Sequence, residues 1–333
     1  MTTKAPGRVR ISPSPTGAPH LGTLYVGLYN YLFAKHHGGQ VVLRFDDVTP
    51  AIPPGSALGD VPGNDARQHE AAICAYLAWL GVEWNEGPDR GGAYGPYRQS
   101  ERMEIYRTFA AQLVGLGGAY PCFCKVADIA RRNELAQRPS FLGYDRHCAA
   151  LDPAVAAARV AEGERHAIRL RTAHQGLPAF IDLVRGPVGV LEGILEDSVL
   201  INPQGLPTLR FSTVVDDHLM KISHVIRADE WIIQTPQLLA IYWAFGWTPP
   251  EFGHLPIIRL RSGRKLSRKD GDLALAEYHQ ARMTPRELRR MLVPAYRLVN
   301  PATAGEMDNK FDPFAQGWAE QTVYVAQPVA QRQ

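Results

Sequence analysis

Residues 11–23 read ISPSPTGAPHLGT, with three prolines, two glycines and one histidine in thirteen positions. The stretch follows RVRIS (8–12), a short apolar-alternating run that reads as a strand. It precedes Leu21–His37, where apolar side chains fall at 21, 24, 25, 28 and 32, the stripe of a helix. Gly38 and Gly39 stop that helix, and QVVLRF (40–45) reads as a buried strand with Asp46 and Asp47 at its carboxyl end. A strand, a helix and a second strand in so short a span predict a right-handed β–α–β unit and a parallel sheet. The rigid loop then lies at the carboxyl ends of the strands, where open α/β sheets bind ligands.

Outward from that unit, 48–64 is rich in Pro and Gly and reads as loop, 65–80 as helix, 87–100 as loop and 100–114 as helix. Residues 119–200 change character: short strands (HAIRLR, AFIDLV), a cysteine cluster and an Ala-rich helix opening at Asp152-Pro153 suggest an insertion between two sheet halves. The α/β pattern resumes at KISHVIR (221–227); Thr235-Pro236 reads as the cap and first turn of a helix, and HLPIIRL (254–260) as a last strand. TPRE (284–287) is a capping box with Pro at the first helical position. The expected domains are 1–118 and 201–275 as halves of a nucleotide-binding domain, 119–200 as an insert, and 276–333 as a partial helical region and tail.

With 333 residues, 45% apolar and 21% charged, the chain can bury a sizeable core without staples. No apolar run approaches the ~20 residues that span a bilayer, and MTTKAPGRVRI lacks an apolar signal region, so a cytoplasmic protein with no membrane partner is expected. The net charge of +3 permits nucleic-acid binding through a local patch without demanding it.

A helix N-terminus presents unpaired N–H groups and partial positive charge, so it holds anions. His20 stands where an imidazole can donate to a phosphate, and Gly17 and Gly22 let backbone approach a ligand. No GxxxxGK[ST] occurs, which excludes a P-loop. The second signal is GRKLSRKDGD (263–272), where Lys265, Arg268 and Lys269 crowd a Gly-flanked loop able to stabilise charge on a departing pyrophosphate. Read singly, these are a rigid turn with a surface histidine and a solvated charge run.

Together, SPSPTGAPHLGT and KLSRKDG resemble the two signatures of class I aminoacyl-tRNA synthetases, and among them the glutamyl/glutaminyl group. The resemblance continues through NYLFAKHHGGQVVLRFDD, GPYRQSER, AYPCFC, VVDDHLM, VIRADEW, AFGW and HLPII, over roughly residues 8–275. It implies a doubly wound, Rossmann-like α/β catalytic domain, an inserted α+β zinc-containing subdomain and a short C-terminal helical segment. It also implies that an amino acid, most simply glutamate, is activated by ATP with Mg²⁺ and passed to tRNA by a cytoplasmic, monomeric enzyme. Because the chain stops at 333, it resembles the short paralogues without the anticodon-binding domain, such as glutamyl-Q tRNA(Asp) synthetases.

Carried over by the resemblance, Pro13, Ser14, Thr16, Gly17, His20, Gly22 and Thr23 frame the ATP site, Leu255 lines the adenine pocket, and Lys265, Arg268 and Lys269 hold the triphosphate. Arg268 stands where the family usually has a second lysine, a planar fork in place of a point charge. Arg10, Ser12, Ser14, Asp46, Leu209, Thr213 and Arg227 fall on the amino-acid site. Arg10 and Arg227 suit a dicarboxylate, with a structural ion pair as the alternative. Asp46 falls where a carboxylate holds the substrate ammonium, or it only caps the strand end. Leu209 replaces a substrate-contacting tyrosine and Thr213 an asparagine, so a different acidic amino acid or a non-tRNA acceptor is a second reading, and a weakly active binding relative a third.

Cys122, Cys124, Tyr144 and Cys148 resemble the family's C-x-C…Y-x-x-x-C zinc site. Three thiolates favour Zn²⁺ and need a fourth ligand. The resemblance nominates Tyr144, general chemistry His147; three buried thiols without metal are the alternative. Cys74 reads as a core residue.

Overall fold

The structure is a computed structural model that describes residues 6–17, 19–48, 65–138, 143–172, 179–189, 196–260, 282–293 and 324–325. Strand β1 (Arg8–Ile11) leads through the Pro-rich loop into α1 (Leu21–His36), and α1 returns the chain to β2 (Gln40–Leu43). The two strands pair in parallel, Arg8 opposite Gln40 and Ile11 opposite Leu43. Their close start needs glycine: a Cβ on Gly39 would lie 1.7 Å from the Gly7 carbonyl oxygen. The helical stripe read from the sequence is the buried face, since Leu21, Leu24, Tyr25, Leu28 and Leu32 all enter one core.

Further along, β8 (His224–Ala228) and β9 (Glu251–Leu255) pair in parallel. β8 runs beside β1, where Ser223 N–H donates to the Arg8 carbonyl at 2.9 Å. Asn30 of α1 donates to the Ile226 carbonyl at 3.1 Å and fixes the helix across that join. Side chains alternate along the strands, so the sheet has two dry faces. Val41, Leu43 and Ile226 pack with α1 and α2 (Asp65–Trp79). Val42, Val225 and Phe252 pack on the opposite face. There they meet α3 (Met103–Gly115), α6 (Leu209–Leu219) and α7 (Thr235–Ala244). This is the doubly wound α/β arrangement the sequence led one to expect.

A separate antiparallel sheet holds β3 (Ala119–Cys122), β4 (Ala167–Leu170) and β7 (Val199–Ile201) in the order β3-β4-β7. It carries α4 (Val126–Leu135) and α5 (Pro153–Ala161), whose first turn is capped by Asp152 accepting from Ala154 N–H at 2.7 Å. After α7, helix α8 (Pro285–Leu292) starts on the capping box: Thr284 Oγ1 and the Glu287 carboxylate cap each other's backbone. Leu288 and Leu292 then return to the core beside α1 and α2. Among the described residues no helix is long and apolar enough to cross a membrane.

Three expectations need correction. Residues 180–188 lie within the stretch assigned to the insert, yet β5 (Phe180–Asp182) pairs in parallel with β9, and β6 (Gly186–Val188) hairpins back on it. The main sheet recruits them because Asp182 serves it, as shown below. HLPIIRL is not one strand: β9 ends at Leu255, Pro256 interrupts the ladder, and β10 (Arg259–Leu260) pairs with β11 (Tyr324–Val325). Thr235 does not cap α7; Gln234 takes that place without a side-chain bond, and the Thr235 hydroxyl turns inward.

Between β2 and the helices on that face runs a buried charge network. Arg44 donates to Asp46 (Nε–Oδ1, 2.8 Å) and Asp217 (Nη1–Oδ1, 2.8 Å) and is fully buried. Asp216, also fully buried, accepts from Arg102 at 2.7 Å, Tyr106 at 2.8 Å and Gln99 at 3.0 Å. Asp216→Ala strands the Arg102 charge and should cost about 3–5 kcal/mol. Urea unfolding reads this directly; a loss below about 1 kcal/mol would show that the network does not hold α3 and α6 together.

Candidate active site

Because β1, β2, β8 and β9 run in one direction, their carboxyl ends share an edge, and the functional side chains gather there. Arg10 is the third residue of β1, Asp46 follows β2, Arg227 is the fourth residue of β8, and Leu255 ends β9, fully buried. The opening loop is sewn to this edge: Asp46 N–H donates to Pro13 O at 3.1 Å, and His69 Nδ1 lies 3.1 Å from Pro15 O. Ser12, Pro13, Thr16 and Gly17 stay half-buried, and Ser14 Oγ is buried without a hydrogen-bond partner among the described residues.

His20 is the N-cap of α1, in extended backbone and with no side-chain cap bond. The first turn contains no acidic residue, so nothing on the helix competes with an incoming anion. The ring stays beside Thr23, whose Oγ1 lies 3.4 Å from His20 Nε2. Gly22 makes room for it, since a Cβ there would sit 3.0 Å from the imidazole.

The two arginines nominated from sequence have opposite surroundings. Arg10 Nε pairs with Asp217 at 3.2 Å, so this arginine already has an anion beside it. Arg227 has only neutral partners: Nε donates to His254 Nε2 at 3.0 Å, and Nη2 donates to Thr235 Oγ1 at 2.8 Å and Trp231 O at 3.1 Å. No carboxylate among the described residues lies in ion-pair range of it, and the residue is half-buried. Desolvation and then the like charge of Arg10 push its guanidinium down to about 9.

His254 acts as a fixed acceptor for Arg227. Its Nδ1 lies 2.5 Å from Asp182 Oδ2, which assigns the proton to Nδ1 and leaves the Nε2 lone pair for Arg227. Burial holds the imidazole below its ordinary range, so it stays neutral. Burial opposes ionisation of Asp182, but bonds from His254 and from the Arg185 and Val184 N–H groups outweigh it. Burial pushes the Asp46 carboxyl up to about 6, against the pull of Arg44 beside it.

Leu209, Thr213 and Asp217 lie four residues apart on α6, hence on one stripe. The stripe that delivers Asp217 to Arg10 therefore also carries the half-buried Leu209 and the buried Thr213. Arg44 Nη2 and the hydroxyl of Tyr242 are buried and unpartnered nearby; the charges of Asp217, Arg10, Arg44 and Arg227 all act on that phenol. Lys265, Arg268 and Lys269 lie outside the described residues. Sequence reasoning missed Asp182, His254, Arg44, Asp216 and Asp217. AFIDLV and VVDDHLM were legible, but the pairing of their carboxylates across more than seventy residues was not.

In the smaller sheet the sulphurs of Cys122, Cys124 and Cys148 all lie within 4.8 Å of one another. Tyr144 closes the group, its hydroxyl 3.3 Å from Cys122 Sγ and 3.8 Å from Cys124 Sγ. His147 is exposed and lies outside that group of sulphurs. Three sulphurs and an oxygen at these separations fit a tetrahedral ion. Cys74 is a half-buried thiol packed on the main core, pushed up to about 11 by burial.

The profile of the family described as tRNA synthetases class I (E and Q), catalytic domain, matches residues 7–306. A glutamate–tRNA ligase of Ectopseudomonas mendocina is 40% identical over 287 residues, covering 86% of this chain and 56% of that protein. The crystal structure of a glutamate tRNA ligase from Elizabethkingia meningosepticum, in complex with its amino acid, superposes with a TM-score of 0.80 at 30% identity. That alignment covers 98% of this chain and 68% of the other. The glutamate-tRNA synthetase of Elizabethkingia anophelis gives 0.67 at 35% identity, over 80% and 53% of the two chains. The chain thus spans a little over half the length of the curated relatives it matches.

A half-buried guanidinium without a counter-ion invites a carboxylate. Small dicarboxylates should raise Tm in proportion to RT ln(1 + [L]/Kd), about 2.7 kcal/mol at a hundredfold excess over Kd. Differential scanning fluorimetry should show the rise in the native protein and its loss in Arg227→Gln; equal shifts in both would remove Arg227 from the site.

Proposed function

The chain belongs to the family of class I tRNA synthetases (E and Q), matching its catalytic domain, and from that premise we propose that it activates glutamate with ATP as the aminoacyl-adenylate and transfers the acyl group to a tRNA hydroxyl. One observation carries the reading: at the open end of the sheet the hydrogen-bond partners of Arg227 among the described residues are all neutral, Arg10 repels it, and Asp217 and Asp182 attract it only from beyond ion-pair range. A dicarboxylic amino acid supplies the missing charge.

In this reading Arg227 and Arg10 receive carboxylates, and Asp46 receives the ammonium. Ser12 and Ser14 offer hydroxyls from the loop. The first turn of α1 and His20 meet the phosphates, Thr16, Gly17, Gly22 and Thr23 allow close backbone approach, and Leu255 backs the base. The substrate carboxylate attacks the α-phosphorus and pyrophosphate leaves. Donors already fixed at the helix start, joined by Lys265, Arg268 and Lys269, stabilise the charge that develops on it. Mg²⁺ enters with the nucleotide, bound mostly through phosphates. Zn²⁺ is assigned to Cys122, Cys124, Tyr144 and Cys148, where it would brace the long connection between β3 and β4. The catalytic halves are 1–118 and 201–275, with β5 and β6 added to the second, and the remainder of 119–200 approaches the acceptor.

Leu209 and Thr213 favour one alternative, a different acidic amino acid, because they take away a phenol and an amide from the stripe facing Arg10. ATP–pyrophosphate exchange with a panel of amino acids, with and without tRNA, separates the two. Glutamate-dependent exchange followed by tRNA charging is expected. His20→Ala should lower exchange about 10²–10³-fold with the fold intact, and an unchanged rate would take His20 out of the mechanism.

The sign of the pH dependence follows from Asp46. Its raised pKa of about 6 means that acidification neutralises the ammonium anchor while the substrate side chain, near 4.3, stays charged. KM for glutamate should rise about tenfold per unit below pH 6. Asp46→Asn should show the high KM throughout, and a flat profile in the native protein would deny Asp46 this role.

A further inference from the structure

Two arginines point at sulphur. Arg132 Nη2 lies 3.2 Å from Cys124 Sγ, and Arg169 Nε lies 3.3 Å from Cys122 Sγ. They arrive from different elements, α4 and β4, and each is aimed by other bonds. Arg132 is clamped by Asp145 (2.5 and 3.1 Å), and Arg169 Nη1 donates to the Asp197 carbonyl at 2.8 Å. Asp197 is itself pinned by the Tyr120 hydroxyl at 2.6 Å and the Thr172 N–H at 3.0 Å. The Arg169 guanidinium also lies over the Tyr144 ring, 3.8 Å from its centroid.

A neutral thiol is a weak acceptor and gives a guanidinium little reason to leave water. A thiolate is a charged acceptor and gives a strong one. Three thiolates and a phenolic oxygen around a dication carry surplus negative charge, and in a half-buried site that surplus needs an answer within hydrogen-bond reach. Two fixed guanidiniums provide it. Arg132 does a second job: no residue of α4 is fully buried, and besides Arg132 the helix is tied by Asn133 Nδ2 to the Gly143 carbonyl at 2.6 Å.

We propose that Arg132 and Arg169 are positioning residues that balance the charge of a zinc centre at Cys122, Cys124, Tyr144 and Cys148, with Arg132 fastening α4 to that centre. The inference rests on the zinc assignment above, and the experiment separates the two. The purified full chain is assayed for metal content, and zinc affinity is measured by competition with a chromophoric chelator. Cobalt substitution supplies a sulphur-to-metal charge-transfer band. The native chain should hold one zinc. Arg132→Gln and Arg169→Gln should each weaken zinc binding about 10–100-fold, and Arg132→Gln should also speed amide exchange across 126–135 in the zinc-loaded protein. Arg107→Gln serves as the control: that exposed guanidinium pairs with Glu104 on α3, not with sulphur, so affinity should hold. The Lys variants at 132 and 169 keep the charge without the fork and should fall between; they give the same ranking should a Gln variant not fold. Affinities within twofold of native in the Gln or, failing those, the Lys variants would overturn the role of the arginines and leave zinc standing. A native chain that takes up neither zinc nor cobalt would overturn both.

Discussion

Arg44 is a fully buried cation, and the architecture of the open end depends on it. It sits one residue beyond β2, and it reaches Asp46 two residues further along the same segment and Asp217 on a helix more than 170 positions away. Asp217 in turn takes Arg10 from β1. One side chain thus sets the relation between two strands and the helix that covers them. Burying such groups is costly, and apolar substitutes of the same volume often give a more stable protein. What a charge network supplies is direction: a guanidinium accepts only certain placements of its partners, so the carboxylates it holds are aimed. Asp46 shows the consequence. Arg44 holds one of its oxygens, while burial raises its pKa into the range where the proton is easily exchanged.

Much of the fold was legible because the core obeys simple periodicities. The stripe from Leu21 to Leu32, the glycine pair after α1 and the capping box at Thr284 each report a local rule, and local rules survive in a single sequence. The failures share a cause. Thr235 looks like a cap, but its hydroxyl is worth more to Arg227 than to its own helix. AFIDLV reads as a strand of the insert, but Asp182 satisfies His254 and draws β5 to β9. Asp182 and His254 are 72 residues apart, and Thr235 meets Arg227 across 8 residues that leave a strand and enter a helix, so no single periodicity carries that information. The site was legible as a set of residue types, Arg10, Asp46, Arg227 and His20, and not as a circuit. Which arginine is neutralised and which is left wanting is decided by Asp217, and Asp217 is placed by tertiary packing.

That asymmetry gives the site its chemistry. Two arginines equally paired with carboxylates would be a structural element; two equally bare ones would repel each other and drift. Here Arg10 is anchored by an anion, and Arg227 is anchored only by neutral acceptors that Asp182 holds in place through His254. The neutral imidazole matters. A charged one would add to the repulsion, and burial keeps it from forming. The cost of holding Arg227 without a counter-ion is met by the surrounding fold and recovered when a carboxylate arrives, which is how preorganised sites convert stability into affinity.

Under the proposed activity, the same asymmetry bears on discrimination. Leu209 cannot offer the hydroxyl that a tyrosine would, so neutral hydrogen bonds to the substrate are fewer on that stripe of α6. Selectivity then rests on charge. A substrate whose side chain ends in an amide leaves Arg227 desolvated, uncompensated and still facing Arg10, and unpaired groups of that kind are what make polar sites reject near-isosteric analogues most strongly. The buried, unspent hydroxyls of Ser14 and Tyr242 add possible contacts but no charge. Losing a phenol at position 209 therefore weakens the fit to an acidic amino acid more than it weakens the choice between an acid and its amide.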